Sequence, residues 1–169
     1  MLVAGPRAAT TFYVNGGGLG GQEDCESRFK ANIEELDKLT KGVPVSKLFS
    51  LSGAQATKVQ LKETFAQIAK EAKADDTLVV TLIGHGTFDG MEYKFNLPGP
   101  DVTAKELSMW MLPVPAKRQL IVNTTSASGG SLADLRQDGR TVITATKSGT
   151  EKLSTVFPRY WLEALRDPQ

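Results

Sequence analysis

The stretch "DTLVVTLIGHGTFDG", residues 76 to 90, decides the fold. From Asp76 to Gly84 it is almost continuously apolar, the pattern of a strand whose sheet is covered by helices on both faces. A strand with one wet face would alternate instead, because successive side chains point to opposite sides. The run therefore predicts a central strand of a largely parallel sheet. It closes on Gly84-His85-Gly86 and carries the chain's one histidine to its carboxyl end.

Upstream, "TTFYVN" (Thr10 to Asn15) reads as a first strand, aromatic and β-branched, ending in the glycines of "NGGGLGG". A helix is expected around Asp24 to Leu39, where Phe29, Ile33 and Leu36 recur at helical spacing and Lys41-Gly42 supplies a stop. "VPVSKLFSL" (Val43 to Leu51) is the second strand, with Pro44 admissible only near its start or at an edge. The next helix carries Leu61, Phe65, Ile68, Ala69 and Ala72 on one stripe, and Thr57 with Gln60 resembles a capping box.

Downstream of residue 90 a long polar loop leads to "PDVTAKELSMWM", where Thr103 and Glu106 repeat the capping-box signature. "RQLIVNT" (Arg118 to Thr124) and "RTVITAT" (Arg140 to Thr146) are the fourth and fifth strands. A last helix starts near Thr155, tolerates Pro158 in its first turn and turns Phe157, Trp161 and Leu165 inward. Strands alternating with helices predict an α/β three-layer sandwich with a mainly parallel central sheet and right-handed crossovers. One domain is expected over residues 1–169, with its core at about 11–165.

Composition narrows the function. The chain has 169 residues, 40% of them hydrophobic, and 20 basic against 19 acidic side chains. That balance predicts neither nucleic acid nor a membrane surface as partner, since both need concentrated positive charge. The apolar runs are too short to span a bilayer, and "MLVAGPRAAT" lacks the organisation of a secretory signal. Cys25 and His85 are each alone in their type, so neither an internal disulfide nor a cysteine- or histidine-rich metal site is expected, and no cofactor is implied. No edge strand stands out in the sequence as a dimerising surface, and oligomeric state is left open.

In parallel α/β folds chemistry gathers beyond the carboxyl ends of the strands. Here those ends carry "NGGGLGG", "GHGTFDG", "NTTSASGG" and "ATKSG". His85 reads either as a loop residue bonded to neighbouring backbone or as a general base, since imidazole titrates near neutrality. Ser126 and Ser128 read either as hydroxyls that a histidine could activate or as caps for the short helix in "GGSLADL". "NGGGLGG" has neither the Walker ending nor the dinucleotide spacing. Glu23, Asp24 and Glu26 at the following helix start oppose a phosphate there and a thiolate at Cys25 alike.

Taken together, "LVVTLIGHGTFDG" followed by "RQLIVNTTSASGG" resembles the caspase-like cysteine peptidases, the grouping of caspases, legumains and gingipains. The resemblance is closest to bacterial caspase-like domains with serine at the nucleophile position, and it covers Thr11 to Leu165. It implies that His85 matches the catalytic histidine, Gly86 its companion, and Ser126 the position of the cysteine, trailed by Ser128 and Gly129. Backbone N–H groups near Gly86 and Ser126 would then receive an oxyanion. The cleft would be lined by Asn15, Gly16 and Gly17 on the first loop, Thr87 to Asp89 on the second, Ser128 on the third, and Thr146 to Ser148 on the last. The implied ligand is a peptide or protein.

Ser126 departs from that pattern. A thiol ionises near pH 8.5 unaided, so one imidazole suffices, whereas a serine ordinarily needs a base oriented by a third group. An engineered replacement, a native non-catalytic homologue and an unusual serine hydrolase all fit such a site. The whole setting "TTSASGG" differs from a cysteine motif, which favours native divergence and a binding or regulatory module over a hydrolase using Ser126 and His85 or a structural α/β domain whose loops bind an unrelated ligand.

Overall fold

The structure is a computed structural model that describes residues 7–18, 21 and 23–167. Strand β1 (Thr11–Gly17) leads to helix α1 (Glu23–Lys41), then β2 (Ser46–Leu51) and α2 (Lys58–Glu71). The apolar run forms β3 (Thr77–Ile83). Three short strands follow: β4 (Gly86–Phe88), β5 (Tyr93–Phe95) and β6 (Val102–Thr103). The chain continues through α3 (Ala104–Met111), β7 (Arg118–Asn123), a 3-10 turn at Ser128–Ser131, α4 (Leu132–Leu135), β8 (Arg140–Thr144) and α5 (Phe157–Arg166).

The main sheet has the order β2-β1-β3-β7-β8 and every pairing in it is parallel. The predicted central strand is central. The pleat divides its side chains between two cores. Leu78, Val80 and Leu82 join Phe12, Val14 and Ile121 beneath Leu61, Phe65 and Ile68 of α2, with Leu107 and Met111 of α3 and Leu135 of α4. Ile83 faces the other way, against Phe29, Ile33 and Leu36 of α1 and Leu162 of α5. Helices on both faces complete the expected sandwich.

The long loop after residue 90 differs from the expectation. It folds into a second, antiparallel sheet in which β5 lies between β4 and β6. Tyr93, Phe95, Leu97 and Val102 extend the larger core from there. This small sheet leaves directly from the end of β3 and so fixes the backbone immediately after His85.

Helix α3 is held at its start by a full capping box. Thr103 Oγ1 accepts from the Glu106 N–H, and the Glu106 carboxylate accepts from the Thr103 N–H, both at 3.1 Å. At α2 only half of the device forms: Thr57 accepts from the Gln60 N–H at 3.2 Å, while the Gln60 amide turns to Glu63. Thr103→Ala is expected to cost about 1 kcal/mol. A thermal-unfolding midpoint lowered by roughly 2–4 °C checks it.

Candidate functional site

Because β3 and β7 are neighbours with Leu82 opposite Asn123, their carboxyl ends lie side by side. His85 leaves one and Ser126 the other. His85 Nδ1 lies 3.5 Å from Ser126 Oγ, a long approach for a hydrogen bond. The imidazole is half-buried and meets the Phe29 ring edge-on, with centroids 5.2 Å apart. Its backbone carbonyl accepts the Asn96 N–H at 3.0 Å, tying the histidine to the end of the small sheet.

The Ser126 hydroxyl is engaged elsewhere. It donates to the Gly86 carbonyl at 3.0 Å and accepts from the Gly86 N–H at 3.1 Å. One backbone residue thus satisfies both of its hydrogen-bonding roles. Ser126 is 1% exposed. Gly86 has to be glycine for this clamp, since a Cβ there would come within 2.5 Å of the Ser126 carbonyl oxygen and 2.6 Å of Tyr93.

Behind the clamp is a buried polar network that the sequence did not announce. The Tyr93 hydroxyl contacts Thr125 Oγ1 at 2.5 Å and donates to Asn123 Oδ1 at 3.3 Å. Asn123 Nδ2 donates to Ser131 Oγ, which donates to the Ser128 carbonyl at 2.6 Å. Burial pushes the Tyr93 phenol up to about 12, with the Thr125 and Asn123 contacts opposing it. Tyr93 therefore stays a neutral strut at any ordinary pH.

The segment after β8 straps across the same turn. Ala127 holds a left-handed backbone at φ 53°, a conformation that costs about 1–2 kcal/mol outside glycine. Its N–H donates to the Glu151 carbonyl at 2.7 Å. Thr155 Oγ1 donates to the Thr124 carbonyl, and Arg28 of α1 donates to Ser154 Oγ at 2.6 Å. Thr146 accepts the Gly129 N–H at 2.8 Å and donates its own N–H to Ser128 Oγ at 3.1 Å. Ser128, Thr146 and Ser148 are thus brought together, with Thr146 Oγ1 donating to the Ser148 carbonyl.

The other cleft positions are scattered. Gly16 and Gly17 end β1 and are buried. Asn15 turns beneath α1, where its amide donates to Asp37 at 2.8 Å and Thr40 at 3.1 Å, away from the His85–Ser126 pair. Leu19 and Gly20 of the "NGGGLGG" loop lie outside the described residues. Thr87 is exposed on β4. Asp89 caps its own turn, accepting from the Met91 and Glu92 N–H groups at 2.9 and 2.8 Å. Those N–H donors, with smaller help from Lys94, hold its carboxyl below the usual range against a weak opposing effect of burial. Among the described residues, no three histidine, cysteine or acidic side chains gather where a metal ion could be held. No helix among them is long and apolar enough to cross a membrane.

The α/β sandwich with its parallel central sheet is consistent with a caspase/legumain-like fold, and the support for that fold comes from solved structures. No family model matches the sequence, and no curated protein does. The similarity lies in the structure. The chain resembles the Drosophila initiator caspase Dronc with a TM-score of 0.60 at 9% identity, over 95% of this chain and 65% of that one. It also resembles a structural-genomics protein from Geobacter sulfurreducens with a TM-score of 0.56 at 13% identity, over 95% and 66%. In both comparisons the chain spans just under two thirds of the other's length. Identities this low speak for the fold alone.

Proposed function

We propose that this chain is a caspase/legumain-fold domain of the serine-bearing bacterial kind that is impaired as a peptidase. In this reading it serves as a binding or regulatory module, with a peptide or protein as its ligand. The observation that carries this reading is the Gly86 clamp on the Ser126 hydroxyl. Attack on a carbonyl requires the hydroxyl proton to pass to His85, yet that proton is directed at the Gly86 carbonyl. Stabilising the resulting oxyanion requires backbone N–H donors, yet the Gly86 N–H is already taken by the nucleophile itself. Asp89, the acidic side chain nearest His85 in sequence, is engaged with its own turn.

The 3.5 Å approach of His85 Nδ1 favours a second reading, an active serine hydrolase. A neutral hydrogen bond contributes only about 1 kcal/mol net, so a bound substrate could draw the hydroxyl from Gly86 toward the imidazole. The two readings separate on a peptide library followed by mass spectrometry. The impaired reading expects wild type and Ser126→Ala to show the same background cleavage. It also expects Ser126→Cys to be labelled at the new thiol by a peptide electrophile, and the label to be lost with His85→Ala. Wild-type cleavage tenfold or more above Ser126→Ala would replace it with the hydrolase.

A further inference from the structure

A cavity of roughly 450 Å³ opens between the carboxyl ends of β1 and β2 and the first turns of α1. It lies on the side of His85 away from Ser126, because the strand order runs β2-β1-β3-β7. Its floor is Phe29 and Ile33, 4% and 2% exposed. The space exists because Gly17 has no side chain: a Cβ there would come within 2.9 Å of Ile33 and 3.4 Å of Ser52. Phe29 also presents its ring to His85, so one side chain is both cavity floor and neighbour of the imidazole.

Glu26 and Lys30, one helical turn apart on α1, stand at the rim. Neither makes a salt bridge among the described residues. A carboxylate and an ammonium side by side match the N–H and C=O of a peptide unit, and their charges sum to zero. Below that exposed rim the floor is apolar, so a charged side chain reaching Phe29 and Ile33 would lose its hydration there, whereas an apolar one would not.

We propose that this cavity is a side-chain pocket for a bulky apolar residue, aromatic or leucine-like, of a peptide lying along the carboxyl edge of the sheet. Neighbouring strands are about 4.8 Å apart, so two spacings separate the end of β7 from that of β1, and an extended chain covers about 3.3 Å per residue. A peptide with one carbonyl at Ser126 therefore reaches the pocket about three residues along. The peptide part of this assignment rests on the ligand reading above, whereas the preference for an apolar side chain does not.

The test is a ¹⁵N-edited NMR titration with N-acetylated amino-acid amides, then with acetylated, amidated alanine pentapeptides carrying one Phe. N-acetyl-phenylalaninamide is expected to shift Gly17, Gly18, Phe29 and Ile33, and the aspartate and lysine amides to leave them unmoved. Ala54 lies exposed in the turn after β2 and lines the cavity. Ala54→Trp is expected to fill the pocket and weaken binding at least tenfold, with the fold checked by circular dichroism. The Phe pentapeptide is expected to move Gly86 and Ser126 as well, and to bind at least tenfold better than pentaalanine. Equal binding of the charged amides, or no effect of Ala54→Trp, overturns the pocket. Shifts at Gly86 and Ser126 alone overturn it too, and leave the peptide reading standing. Pocket shifts with the amide but none at Gly86 or Ser126 with any pentapeptide overturn the peptide half and that reading with it.

Discussion

Gly129→Ala is expected to destabilise the chain by about 3 kcal/mol, the upper part of the range for overpacking. A Cβ at this position would come within 2.4 Å of the Ser148 nitrogen and 2.5 Å of the Lys147 carbonyl carbon. Both are backbone atoms, so no side-chain rotation relieves the contact. The strap would have to lift as a unit, breaking the Gly129–Thr146 and Ala127–Glu151 hydrogen bonds. Gly42→Ala is the control, because its Cβ would meet nothing nearer than 3.5 Å. Chemical denaturation of both variants checks the contrast. A Gly129→Ala midpoint indistinguishable from wild type would mean that the strap does not close on the Ser126 turn.

The second large effect lies at the opposite end of the sheet. Asp76 is fully buried and accepts the Thr10 N–H at 2.7 Å, the Lys73 N–H at 2.8 Å and the Arg7 guanidinium at 2.6 Å. Burial alone would raise its carboxyl, but the two backbone donors and Arg7 outweigh it and hold it below the usual range. Asp76→Asn keeps the shape but turns an amide donor toward donors. We expect a loss of about 3 kcal/mol, the lower end for breaking a buried charge-assisted set, since Arg7 is half-exposed. The sign of the pH dependence follows from a folded-state value below the unfolded one. The stabilisation is fully present above the unfolded value of about 3.9 and is lost as pH falls through the folded value. The stability gap between wild type and Asp76→Asn should therefore be wide at pH 7 and narrow below pH 4. A gap independent of pH would contradict the assignment.

Much of the architecture was legible because hydrophobic period and length agreed. The almost continuously apolar run of β3 matched a doubly covered strand, and Phe29, Ile33 and Leu36 marked the buried face of α1. Strand ends were less so. β2 begins at Ser46 rather than Val43 because the chain is still turning at Pro44, with Val45 in a left-handed conformation. In α5 the residues spaced four apart, Phe157, Trp161 and Leu165, are only half-buried, and Pro158 and Leu162 go deepest. Strict four-residue spacing drifts around a helix of 3.6 residues per turn, so the buried stripe runs between the two rows.

The small antiparallel sheet left a trace that was too short to count. Tyr93, Phe95 and Leu97 alternate with Lys94 and Asn96, a two-residue period sustained for five positions. In the candidate site, the family resemblance paired His85 with Ser126, and the structure brings them to 3.5 Å because β3 and β7 are neighbours. Sequence could not show where the Ser126 proton goes. A hydroxyl rotates to the nearest acceptor, and that acceptor is backbone, carried by a glycine whose letter says nothing of its carbonyl. The strap was equally hidden, since its contacts to the turn are mostly main-chain atoms and hydroxyls.

Whether the Ser126 hydroxyl is held by Gly86 or acts as a nucleophile is read by intact-mass analysis after exposure to a serine-reactive fluorophosphonate. A hydroxyl held in this way is expected to give no adduct on the folded chain between pH 6 and 9, whether His85 is present or replaced by alanine. A stoichiometric adduct mapped to Ser126 and abolished by His85→Ala would contradict it.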